Sequence, residues 1–365
     1  MKSLFKRLLL LLIGSIGLES AYGQFAQSGA GPYDYNTPSN WTGSAINGVF
    51  TQTLTANQTV GFSVDTDLPT GLTFAMGGPF SESLVGTGGD HTINLEGDIS
   101  VQSKLGGLNV TIGSLSNGQN LSVSSTQNAI RTITVGANDS LVFLNPFTTT
   151  FPVYKAGLGT LIFGGSSTCP VNVVESGTLI LDCSTQTTNK PVSGANLGLE
   201  NGTLELVGNS SAATTQTFNG VYLNFTGASS VAVTSKGQST ILNLGTFSRG
   251  NTGETIDFTL PVDGAIQTSA SNFHGILGGF ATVGKSTWAS SDGSGNLVGL
   301  TSFVNTIGPD TNVDLISNQS VTSDVTVSTF RFNTGAPVTV NLSSGTNVVV
   351  GQGILVTGNV GDHLS

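Results

Sequence analysis

The sequence predicts an all-β chain folded as an elongated parallel β-solenoid (a β-helix) with an N-terminal cap region. Three observations carry that expectation. The first is a recurring phrase: Gly159-Thr160-Leu161-Ile162-Phe163, Gly177-Thr178-Leu179-Ile180-Leu181 and Gly202-Thr203-Leu204-Glu205-Leu206, preceded by the looser Asp139-Ser140-Leu141-Val142-Phe143. Self-similarity at intervals of roughly 20–25 residues marks a solenoid, in which each turn buries its apolar face only against its neighbours. The second is composition. Only 9% of residues are charged and 50 of 365 are glycine, whereas about 25% charged is ordinary for a globular domain. The third is periodicity: beyond the N-terminus the apolar residues sit in short alternating runs bounded by Gly, Asn or Ser, with no sustained helical pattern. Hydrophobic residues make up 37% of the chain, and their placement in these runs separates it from a disordered Ser/Gly linker.

In chain order, residues 1–23 read as a secretory leader. Lys2, Lys6 and Arg7 form a basic start, Leu8 to Leu18 an apolar stretch too short to span a bilayer comfortably, and Ala21-Tyr22-Gly23 a small-residue site that places cleavage before Gln24. Residues 24–90 form the cap region, where Tyr33, Tyr35 and Trp41 lie close together and Trp41 is positioned to plug the open end of the first turn. The remaining Tyr and Trp of the mature chain, Tyr154, Tyr222 and Trp288, are widely spread.

From 91 to 365 the solenoid strands follow: His91 to Leu95, Ile99 to Val101, Asn109 to Ile112, Leu121 to Val123 and Thr132 to Val135, then the Gly-Thr-Leu repeat at about 155–182. Longer spacing between 218 and 303 carries Val221 to Phe225, Ser230 to Val233, Thr240 to Leu244 and Ile256 to Leu260, then a loop-like stretch around Trp288. Between 312 and 360 strands resume at Val338 to Leu342, Val348 to Val350 and Ile354 to Val356.

Strand alternation assigns the faces. In Thr203-Leu204-Glu205-Leu206 an inward Glu205 would be an uncompensated buried charge, so Leu204 and Leu206 point inward. By register Leu161, Phe163, Leu179 and Leu181 do the same, and these six form the core repeat. Ile162 and Ile180 then fall on the outward face and need cover.

Charge bounds the partners. The net charge is −10, and loss of Lys2, Lys6, Arg7 and Glu19 with the leader makes it more negative. With no basic cluster, nucleic acid is excluded as a partner, because phosphate neutralisation needs grouped Lys and Arg. Only two cysteines occur, Cys169 and Cys183. In an exported chain they form a disulfide candidate, closing a short loop worth about 3 kcal/mol.

Candidate chemistry is sparse. Asp65 and Asp67 sit two apart and would share a strand face, as paired carboxylates for acid–base work or Ca²⁺ do, but Leu68-Pro69-Thr70-Gly71 reads as a solvated turn. Gly86-Thr87-Gly88-Gly89-Asp90 is a single copy of a Ca²⁺-repeat-like phrase, and such sites need stacked copies. His91, His274 and His363 are too far apart to share adjacent turns. Leu277-Gly278-Gly279-Phe280 lacks the strand–loop–helix context of a phosphate cradle. The reading is therefore no catalytic residues, no metal and no cofactor.

These residues resemble a known family, the bacterial proteins carrying autotransporter-associated β-strand repeats. The likeness is carried by Lys155-Ala156-Gly157-Leu158-Gly159-Thr160-Leu161-Ile162-Phe163-Gly164-Gly165, then Val171-Asn172-Val173-Val174-Glu175-Ser176-Gly177-Thr178-Leu179. Looser similarity runs through Gly202-Thr203-Leu204 to Gly220, through Phe280 to Asn296, and at Asn40-Trp41. The resemblance implies a secreted or cell-surface passenger and no particular substrate. The functional reading is a structural passenger at the extracellular or outer-membrane surface, adhesive and non-catalytic, with a surface glycan or a protein as its ligand. The alternative is a carbohydrate-active β-helix enzyme, a polysaccharide lyase or hydrolase. The sequence carries neither a terminal membrane-barrel pattern nor a sorting segment. After Ile354 to Thr357 only Val360 and Leu364 are sizeable apolar residues, so the expectation is a fragment whose open C-terminal edge supports self-association.

Overall fold

A computed structural model of the chain describes residues 24–360 apart from 26, 28–30, 32, 43–48, 51–55, 69–70, 76–78, 104–105, 117, 126–130, 168–170, 186–189, 191–194 and 224–226. Among the described residues the fold is all-β, with two three-residue 3₁₀ turns, Pro38–Asn40 and Gly358–Val360, as its only helical elements. It is a parallel β-solenoid of about 11 turns.

Three walls build each turn. One is a 13-stranded sheet, here called the long sheet; a second is nine-stranded; the third is a four-stranded sheet followed further along by a three-stranded one. The chain visits them in rotation. Gln58–Phe62 lies in the long sheet, Thr66–Leu68 in the third wall and Leu72–Phe74 in the nine-stranded sheet; Ser81–Gly86 then returns beside Gln58–Phe62. Parallel pairing already begins at Tyr33–Asp34, so the stack runs through the region expected to cap it.

The repeated phrase forms the long sheet's central rungs. Thr160–Phe163 pairs in parallel with Gly177–Asp182, placing Leu161 against Leu179 and Phe163 against Leu181. Gly177–Asp182 pairs with Gly202–Val207, adding Leu204 and Leu206 to the same two columns. All six side chains are buried in one continuous core. The glycines are required by close approach: Gly177 has φ +66°, and a Cβ there would sit 2.4 Å from the Gly159 carbonyl oxygen. Ile162 and Ile180 face outward and are half-buried, each in register with the other on the neighbouring rung. They cover one another laterally, and no loop is needed.

Aromatic rings fill the N-terminal part of the core. Tyr35 stacks on Phe62 at 4.2 Å between centroids, and Phe50 stacks on Phe74 at 4.9 Å. The Trp41 side chain, and with it the expected plug, lies outside the described residues.

Two segments differ from the sequence expectation. The stretch around Trp288 is not a loop: Ala281–Val283, Thr287–Ser291 and Leu297–Gly299 pair antiparallel, and Trp288 is buried with Ile276 and Leu300. The two strands expected at 348–350 and 354–356 are one, Val348–Val356. Its partner is Val325–Phe332, and the register shifts between Val327 and Thr329. A bulge at Gly351 to Gly353 absorbs the extra residue, as glycine in a strand commonly does. This last part of the chain has its own core of Val313, Leu315, Val327 and Phe330.

Candidate functional site

The outward faces carry the candidate chemistry. On the long sheet one outward column reads Ser81, Asn109, Ser140, Thr160, Thr178, Thr203, Ser230, Asp257 and Thr282 from rung to rung. The column beside it runs from Thr59 through Ile162 and Ile180 to Glu205, Ala232 and Thr259. Each holds one carboxylate, and both are engaged. Asp257 Oδ1 accepts from the Thr282 hydroxyl at 2.6 Å and the Lys285 backbone N–H at 2.7 Å; Glu205 Oε1 accepts from Thr234 at 3.0 Å.

On the nine-stranded sheet the outward column Tyr154, Val173, Gly198, Tyr222, Ser248 lines a groove of about 480 Å³. Gly198 has no side chain to raise the floor beside Tyr222, and Val173 separates it from Tyr154. The two tyrosines are three rungs apart, about 14 Å at the usual strand spacing. Asn196, Gly220 and Thr246 form the adjacent outward column, and Glu200 lies at the rim. Among the described residues the groove has no Lys or Arg in its lining. Its chemistry is one exposed and one half-buried phenol ring beside mostly uncharged hydrogen-bonding groups, with Glu200 as the one carboxylate of the described lining.

Asp65, Asp67 and Asp90, singled out in the sequence, and Asp98 brace successive turns. Asp65 Oδ1 accepts the Thr92 backbone N–H at 2.8 Å, and Asp67 Oδ1 accepts from the Asn94 side chain at 2.8 Å. Asp90 Oδ1 accepts the Asn120 N–H at 2.6 Å, and Asp98 Oδ1 the Thr132 N–H at 2.9 Å. Each ties one turn to the next, and Asp65, Asp90 and Asp98 each satisfy a backbone donor at or just before the start of a strand. His91 Nε2 lies 3.0 Å from the Thr87 carbonyl oxygen, with Nδ1 3.8 Å from Asp65. His274 sits edge-on to Phe273, and His363 is outside the described residues.

The buried ionisable groups among the described residues include Lys155, Glu82 and Lys190, beside Asp139, Glu254 and Asp314. Lys155 Nζ donates to the carbonyls of Ala156 at 3.0 Å, Gly157 at 2.7 Å and Ser176 at 3.0 Å, capping the turn that leads into the Gly-Thr-Leu strand. Burial pushes its ammonium down to about 8. Glu82 continues the inward column of Leu161 and Leu179 toward the N-terminus, between Gln58 and Val110. Neither of its carboxyl oxygens has a hydrogen-bond partner among the described residues. Burial pushes its carboxyl up to about 8. Lys190 donates from Nζ to the Gly164 carbonyl, and burial holds its ammonium below the usual range.

Cys183 is a buried thiol, raised above its ordinary value mainly by burial, then lowered by Lys190 and raised by Asp182. Cys169 and the expected pairing with Cys183 lie outside the described residues. The groove was not foreseen. Its two tyrosines were visible only as isolated aromatics, and uneven turn lengths conceal that they share a column.

No protein-family model, curated protein or solved structure matches this chain.

Proposed function

We propose that the chain is a secreted or cell-surface structural passenger of the autotransporter-associated-repeat kind, adhesive and non-catalytic. The observation that carries this reading is the long sheet's outward ladder, hydroxyl and amide side chains at every rung except Asp257. Such a surface offers dispersed, weak hydrogen bonds over many rungs, which suits display and attachment. Bond cleavage by a β-helix enzyme instead calls for carboxylates from adjacent rungs converging on one groove. Asp65, Asp67, Asp90 and Asp98 are spent on joining turns.

The test is export and surface display of the full chain in a Gram-negative host. The reading expects a mature N-terminus at Gln24 and digestion of the chain by protease added to intact cells. Retention in the cytoplasm with the leader attached would overturn it. So would catalytic release of new reducing ends from polysaccharide by the purified chain, which would favour the lyase or hydrolase alternative.

A further inference from the structure

We propose that the groove between Tyr154 and Tyr222 binds a neutral polysaccharide lying along the solenoid axis. The inference rests on the adhesive reading above and names the ligand class for one face.

Four features select this ligand. Tyr222 is 40% exposed and Tyr154 half-buried, so ring surface is offered to solvent at two points of one column. A phenol ring is an apolar face with a polar tip, which suits the apolar face and hydroxyl rim of a pyranose. Rungs advance by about 4.8 Å, close to the advance per sugar in an extended glycan, so a chain running across the strands meets an equivalent position at each rung. Gly198 opens the floor beside Tyr222, while Asn196, Thr246 and Ser248 supply donors and acceptors alongside. About 480 Å³ is within the range of ligand-binding clefts.

Charge and geometry exclude the competitors. A polyanionic glycan or single-stranded nucleic acid would meet Glu200, no lining cation among the described residues and a net charge of −10. An extended peptide gains its affinity by adding to a sheet edge, and this groove lies on a sheet face whose strands already pair on both sides.

Affinity electrophoresis of the full chain through gels containing xylan, mannan, laminarin, hydroxyethylcellulose or polygalacturonate tests the proposal. Retardation by at least one of the four neutral polymers is expected, and none by polygalacturonate. Tyr222→Ala and Tyr154→Ala should each weaken retardation about tenfold, the loss of one stacking contact. Tyr222→Phe should keep it, and circular dichroism should show an unchanged β signal in every variant. No retardation by any neutral polymer, retardation by polygalacturonate alone, or Tyr→Ala variants that bind like the parent would overturn it. Reducing ends released in the same gels would overturn the non-catalytic reading and leave the groove assignment standing.

Discussion

The ammonium of Lys155 donates to the main-chain carbonyl of Ser176 at 3.0 Å, joining one turn of the solenoid to the next from inside the core. With its bonds to Ala156 and Gly157 it satisfies three carbonyls where the chain bends into the Gly-Thr-Leu strand. Burying a cation is costly, and this one persists because the bend presents a ready set of acceptors. Lys155→Met should keep the packing volume and leave those carbonyls without their donor. The expected loss is about 1–3 kcal/mol, read as a lower midpoint in urea unfolding, and an unchanged midpoint would contradict the role.

Leu179 tests the core. It packs between Leu161 and Leu204 on the flanking rungs and is fully buried. Leu179→Ala should cost about 2–5 kcal/mol. Thr178→Ala, one position away on the outward face, should change stability by no more than about 0.5 kcal/mol. Equal effects from the two substitutions would mean that the faces are misassigned.

Glu82 predicts a pH dependence. Its carboxyl is pushed up to about 8 in the fold, from 4.5 when free. The folded state therefore holds a proton that the unfolded state gives up. The contribution is fully present below pH 4.5 and is lost as pH rises toward 8, with a slope of at most about 1.4 kcal/mol per pH unit. Glu82→Gln should flatten unfolding midpoints across that window. A parent chain whose stability rises between pH 5 and 8, with Glu82→Gln behaving identically, would contradict the assignment.

The C-terminal described strand carries exposed apolar side chains. Val348–Val356 is the outermost strand of its sheet among the described residues, with Val349 54% and Ile354 59% exposed. Away from the bulge, exposed strand edges of this kind template pairing with another chain. We expect the isolated chain to self-associate through this edge, seen as a mass that rises with concentration in sedimentation equilibrium, and Ile354→Lys to restore a monomer. A monomer at all concentrations would exclude the contact.

Much of this fold is legible in the residues. Glu205 alone orients its strand, because the charge must face out, and the repeated Gly-Thr-Leu carries that orientation to Leu161 and Leu179. The hairpin around Trp288 was not legible, because Ser, Gly and Asp punctuate it as they would a loop. The single strand Val348–Val356 was hidden by Gly351 and Gly353, which read as a turn and serve as a bulge. Tyr154 and Tyr222 are joined only by register, and register depends on turn lengths that vary along the chain.

In-register stacking of the rungs underlies the core, the ladders and the groove alike. Its most direct test is distance measurement by pulsed electron paramagnetic resonance between nitroxides on the outward Ser/Thr column, in a chain lacking Cys169 and Cys183. Ser81 paired with Thr282 spans eight rungs, Thr160 with Thr282 five, and Thr160 with Ser230 three. The account predicts backbone separations of about 38, 24 and 14 Å, rising by about 4.8 Å per rung. Separations that do not grow with rung number, or a Ser81–Thr282 distance shorter than Thr160–Thr282, would contradict the solenoid.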